Sequence, residues 1–431
     1  MKSVLRWVAA LSLVTGCSSS SLDGDGAIRS SHQELDSSKT TNLTKGGQDA
    51  NLKATSDEAV RQAETRDGYY SWAGGLTTLD LFRSIFTFDA NEVTATYYNR
   101  GDLGIGREMH CVDVPGTIAC YVRNFAAGDD GSEFTFGMSP DIAFKNTNAG
   151  HAFATVAMIF QDTPDPTTKM RFLVYNAAGD ALLNAAALDR VGIIYNNAFS
   201  SGASLVGLGT PGQNFNNHIP SNCATCHGGS YDSINHTVSG SFFLPFDLDQ
   251  FEYENVVGHR LIDQQDQFRQ LNAIVRKVAI LANPTVGGSI VNQIDGWYGG
   301  DLTSGTFDSN YVPTGWRSSQ AAIDAYQGVV RASCRNCHLT NRASILRFDD
   351  EAGTTGFRVL AVTAAEDIRD FVMPHSLQSL RTFWQSPQPA ALEKYFISVG
   401  ETLAATTLHN SGPGNVATLD PHQISALQLG Q

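Results

Sequence analysis

Cys223-Ala224-Thr225-Cys226-His227 and Cys334-Arg335-Asn336-Cys337-His338 repeat one pentad, Cys-x-x-Cys-His, and nothing else in the chain constrains it as strongly. Two thiols at this spacing add to the two vinyl groups of one porphyrin, and the adjacent imidazole supplies a nitrogen to its iron. The chain holds 7 Cys and 11 His in 431 residues. At that composition one pentad arises by chance in roughly three of a thousand shuffled sequences. Two are not an accident. The sequence therefore implies two covalently bound haem c groups, held by Cys223, Cys226, Cys334 and Cys337, with His227 and His338 as proximal iron ligands.

The N-terminus carries an export pattern. Lys2 and Arg6 make a positive start, and Trp7 to Val14 form an apolar stretch far shorter than the roughly 20 residues of a permanent membrane helix. It runs into Leu13-Val14-Thr15-Gly16-Cys17, which resembles the lipobox of bacterial lipoproteins. That resemblance covers the first 17 residues. It implies that 1–16 is a signal peptide and that Cys17 is acylated, several acyl chains giving a stable anchor to the membrane. By the same resemblance, Ser18 rather than Asp after the cysteine favours the outer membrane, so a periplasm-facing outer-membrane lipoprotein is expected over a soluble periplasmic protein. Residues 17–60 are rich in Ser, Thr, Asp, Asn and Gly and read as a flexible tether, because they cannot bury a core.

With one cysteine assigned to lipid and four to haem, Cys111 and Cys120 remain. They flank Val114-Pro115-Gly116-Thr117, and Pro-Gly is a turn dipeptide. A hairpin turning on Pro115 and Gly116 sets 111 opposite 120, within reach of a disulfide, and an oxidising compartment favours that bond. Charge narrows the partners. With 29 Lys and Arg against 43 Asp and Glu, the formal charge is −14, which argues against nucleic acid and suits basic redox partner proteins.

The remaining chain reads as a multi-domain α+β protein, an all-β sandwich-like domain followed by a mainly helical region carrying both haems. Over 61–215 the strand candidates are Ser84–Phe88, Glu92–Tyr98, Thr117–Val122, Glu133–Met138, Phe153–Phe160, Met170–Tyr175 and Val191–Tyr195, separated by turn clusters. No Ser-His-Asp, metal or phosphate-cradle pattern stands out there. Residues 216–317 form a first haem region. Its helix, Gln264 to Ala282, aligns Phe268, Leu271, Val275 and Val278, and Asn283-Pro284 stops it. Residues 318–405 form a second haem region, with helices over Ser319–Arg331 and Pro389–Leu403, and 406–431 is a tail.

Residues 318–405 resemble the class I cytochrome c fold: a helix, Cys-x-x-Cys-His, an irregular stretch, Met373-Pro374, and a terminal helix. The resemblance implies that Met373 is the distal ligand opposite His338, a soft neutral thioether that favours ferrous iron and raises the potential. His375 is a competitor two residues on. The whole chain thus resembles a di-haem c-type cytochrome with a lipoprotein signal. For the first haem no Met-Pro follows, and Phe242-Phe243-Leu244-Pro245 puts Leu at that place. His236 and His259, Met109 or His110 from the β region, and an open position all stand as alternatives, whereas His218 is too close to Cys223 to reach across the ring. The expected function is one-electron transfer in the cell envelope. A first haem with an open sixth position would instead make the protein a peroxidase, a dioxygen-using oxidoreductase or a sensor. Nothing in the sequence assigns a catalytic residue, and the reading favours a carrier over an enzyme.

Overall fold

The computed structural model describes residues 69–73, 75–127, 139–182, 219–232, 234–340, 347–352, 356–370 and 377–410. The segments 1–60, Glu133–Met138 and Val191–Tyr195 lie outside the described residues, as do Met373 and His375.

Six strands make one antiparallel sheet: β1 (Val93–Asn99), β2 (Ile105–Val114), β3 (Thr117–Phe125), β4 (Ala152–Gln161), β5 (Met170–Tyr175) and β8 (Phe251–Glu252), in the spatial order β5-β4-β3-β2-β1-β8. Two short strands, β6 (Ser230–Asp232) and β7 (Thr237–Ser239), pair separately. β2 turns into β3 through Pro115 and Gly116, the glycine at φ +76°, so Val114 pairs with Thr117 and Cys111 with Cys120. The two sulfurs are bonded at 2.05 Å. That register is the one the turn dipeptide dictates.

The expected sandwich is instead a single sheet with helices on both faces. Along β3 five successive residues, Ile118 to Val122, are buried, so neither face is wet. Such strands need cover on both sides, and here helices supply it. One face meets α1 (Leu79–Ile85), α2 (Phe88–Asn91) and α3 (Pro140–Asn148), with Phe82 and Phe88 against Tyr121. Ser84–Phe88, which reads as a strand, therefore spans the end of α1 and the start of α2. Thr78 caps α1 by accepting from the Leu81 amide, and Phe82 is its buried residue.

The opposite face takes α5 (Leu261–Ala282), whose Phe268, Leu271, Val275 and Val278 form a buried stripe. Pro284 ends that helix and opens α6 (Pro284–Tyr298), where proline's missing N–H costs nothing. One continuous core links these elements from Tyr69 to Tyr298. Edge strand β5 and the part of β1 beyond its short pairing with β8 are both capped. Tyr69 and Tyr70 hydroxyls accept from the Phe172 and Val174 amides of β5, and the Gln264 amide bridges Thr96 N and O on β1.

A second core spans Val312 to Leu408 and is helical. Ser319 caps α7 (Gln320–Ala325) by accepting from the Ala322 amide at 3.1 Å. The helix then widens into a π-helical stretch, Tyr326–Cys334, before α8 (Arg335–His338). α9 (Ala361–Asp370), α10 (Leu377–Trp384), α11 (Gln388–Ser398) and α12 (Thr402–Asn410) complete it. The expected helix over Pro389–Leu403 is two helices, because Gly400 at φ +83° breaks it and Leu403 turns outward, 63% exposed.

Candidate functional site

The first pentad lies on α4 (Ile219–His227), which ends at Gly228 and Gly229, both at positive φ. On a helix, residues three and four apart share a face, so Cys223, Cys226 and His227 project together. The His227 Nδ1–H donates to the Phe242 carbonyl at 2.9 Å. That bond fixes the tautomer and leaves Nε2 with its lone pair, as a metal-ligating imidazole requires. The surrounding protein desolvates the ring and lowers its pKa to about 4, assisted by the positive charge of Arg107, so the imidazole is neutral. Burial also pushes the Cys223 thiol up to about 12.

These three side chains open on a cavity of about 250 Å³. One water needs only about 10–15 Å³ of such space, so the void is ligand-sized. Its floor is the sheet face bearing Met109, Val122, Val156 and Val174, and its roof includes Phe243, Phe246, Phe251 and Val275. Thiols on one helical face, a neutral imidazole with a free Nε2, and an apolar aromatic-walled cavity fit a covalently held haem.

The second pentad sits where the π-helical stretch hands over to α8. Burial pushes the Cys334 thiol up to about 12. The His338 ring stacks on Phe348, centroids 3.9 Å apart. The two residues between the cysteines point inward. Asn336 reaches the cavity of the first pentad, and Arg335 is 1% exposed. The Arg335 guanidinium forks onto Asp247 with two contacts of 2.6 Å, adds Asp249 at 3.2 Å, and lies over the Trp297 ring. Burial opposes its charge, but Asp247 and Tyr326 outweigh that and raise its pKa.

The two pentads meet. Cys226 and Cys337 bring their sulfurs to 3.9 Å, and this contact raises the Cys337 thiol. Thr340 Oγ1 donates to the Cys226 carbonyl and lies 3.2 Å from that of Cys337. Gly228 is so close to Thr340 that a Cβ there would stand 2.1 Å from its carbonyl oxygen. Arg107 pairs with Asp102 at 2.6 Å beside the same sulfurs. Among the described residues no three His, Cys, Asp or Glu converge as ligands of a bare ion would.

Of the side chains the sequence offers as candidates opposite His227, Met109 lines the cavity. His110, one residue on, faces the other side of the sheet, stacked on Tyr121 and bonded to Glu92 and Glu108. His236 bonds the Tyr231 hydroxyl, and His259 bonds Glu254. Sequence reasoning missed Arg335, Asp247, Arg107 and Asp102. Arg335 occupies a variable position of the pentad, and no local pattern marks the others. Among the described residues no helix is long and apolar enough to cross a membrane. Comparisons with protein families, with curated proteins and with solved structures find no match to this chain.

Proposed function

We propose that the chain is an exported di-haem cytochrome c that moves single electrons in the cell envelope, anchored through acylated Cys17 and serving redox partner proteins. The observation that carries this reading is the 3.9 Å approach of Cys226 and Cys337, each the second thiol of its pentad. Thioethers formed there draw one edge of each porphyrin to a common seam. Electron exchange falls steeply with edge separation, so two haems attached at this seam act as one relay.

When bound, each haem supplies one-electron chemistry at iron, and the protein tunes it by axial ligand, hydrogen bonding and burial. His227, held by the Phe242 carbonyl, presents Nε2 in a fixed direction and is made more basic by that bond. Arg107 places a positive charge beside the seam, and Asp102 balances it. Met373 is the proposed thioether for the iron held by His338. The acidic surface, formal charge −14, suits a basic partner.

The test is the intact mass of denatured protein made in a host that attaches haem c. The expected mass is that of the chain plus two haems, and Cys334→Ala should retain only one fully tethered group. A chain without covalent haem, or a Cys334→Ala variant that keeps two doubly tethered haems, sinks the reading. Cys17→Ser should release the protein from membranes.

A further inference from the structure

We propose that Met109 is the sixth ligand of the iron held by His227, so that the sheet itself closes the first haem. This rests on the haem reading of Cys223, Cys226 and His227.

Alternation along β2 decides between neighbours. Side chains of successive strand residues point to opposite faces. Met109 therefore shares the cavity with Cys223, Cys226 and His227, while His110 is committed to Glu92, Glu108 and Tyr121 on the far face. Across the sheet one row of paired residues reads Ala95, Met109, Val122, Val156, Val174, and its last four members line the cavity. Met109 is the member of that row with a donor atom for iron. It is half-buried, and its paired neighbours Ala95 on β1 and Val122 on β3 are buried.

Axial ligands approach a porphyrin from opposite sides. His227 stands at the β5 end of the cavity, its ring 5.7 Å from that of Phe172. Met109 stands on β2, three strands away, at the other end. Met158 also lines the cavity, but it pairs directly with Phe172, on the side of His227, and is 8% exposed, as a gap-filling core methionine would be. His236 and His259 are bonded elsewhere. The platform is stiff as well. Cys111, two residues on and on the same face, is bonded to Cys120.

A thioether here gives a soft, neutral sixth ligand that favours ferrous iron. The experiment uses purified holoprotein, with covalent haem counted by mass, and reads ferric electron paramagnetic resonance, the sulfur-to-iron charge-transfer absorption and the two midpoint potentials. Wild type should show two low-spin haems. Met109→Leu should turn one of them high-spin and remove half of the charge-transfer absorption, while Met158→Leu keeps both low-spin signals. Met109→His, which restores a ligand if the Leu variant is poorly folded, should stay low-spin with one potential lowered. Two haems with spectra and potentials unchanged in Met109→Leu or Met109→His overturn the proposal, as does a stoichiometric high-spin signal in wild type. Fewer than two haems in wild type overturns the haem reading instead.

Discussion

Arg335, inside the second pentad, and Asp247, which follows the first, form a buried two-pronged ion pair, the side chains 2% and 1% exposed. It spans 88 residues of sequence and joins the two cores. Removing one partner of such a pair strands a charge and costs about 3–5 kcal/mol, whereas replacing both with apolar groups is often neutral. Asp247→Asn should therefore lower unfolding stability by about that amount. Arg335→Met combined with Asp247→Leu should recover most of the loss, measured by urea titration. Equal losses in the single and double variants would mean the pair is not what binds the cores.

Gly228→Ala tests the approach of the pentads. The residue sits at φ +70°, and its Cβ would meet the Thr340 carbonyl at 2.1 Å. Backbone strain of this kind costs about 1–3 kcal/mol, and the close contact must also open. The expected result is a destabilised protein in which, on the proposed di-haem reading, the two haems interact more weakly, read from the separation of their potentials and from magnetic coupling. Wild-type stability would contradict the geometry.

Acidity should matter to the chain before haem is attached. His227 is held near a pKa of about 4 when folded, against roughly 6.5 unfolded. A depressed base binds protons more readily in the unfolded chain. Its contribution is thus fully present above pH 6.5 and is lost as pH falls toward 4, with an upper bound of about 3.5 kcal/mol. Haem-free wild type should weaken between those pH values in urea unfolding, and His227→Gln should weaken less. Parallel curves would exclude the imidazole as the cause.

Joint replacement of Cys111 and Cys120 by Ser removes a crosslink spanning a sequence separation of 9. A loop this short is worth about 2–3 kcal/mol in the chain-entropy account. The variant should lose that much stability and let the hairpin carrying Met109 move, broadening the low-spin signal of the first haem. A stable variant with an unaltered signal would show that the sheet alone positions Met109.

The pentads, the hairpin register and the stripe of α5 are legible in the sequence because each depends on local spacing. Pro115-Gly116 dictates which residues pair, and 3.6-residue periodicity dictates that Phe268 and Val275 share a face. The sheet's two-sided burial is not legible in the same way. Ile118 to Val122 reads as a strand in a sandwich or under helices alike, and what lies on each face is set by residues far along the chain. Ser84–Phe88 has the composition of a strand, yet the Thr78 cap and the packing of Phe82 win over propensity. The meeting of Cys226 with Cys337, the Arg335 pair and the cavity wall at Met109 are long-range placements that only the folded chain displays.

Two sulfur systems share the cavity, the Cys111–Cys120 disulfide and the thiols of Cys223 and Cys226. In an oxidising compartment that neighbourhood invites thiol–disulfide exchange, since a thiolate that attacked the disulfide would scramble the hairpin and consume an attachment point. Only the thiolate attacks. With Cys223 pushed up to about 12, roughly one molecule in a hundred thousand carries it at neutral pH. For Cys223, burial thus acts as a kinetic quarantine, keeping that thiol reduced beside a closed crosslink.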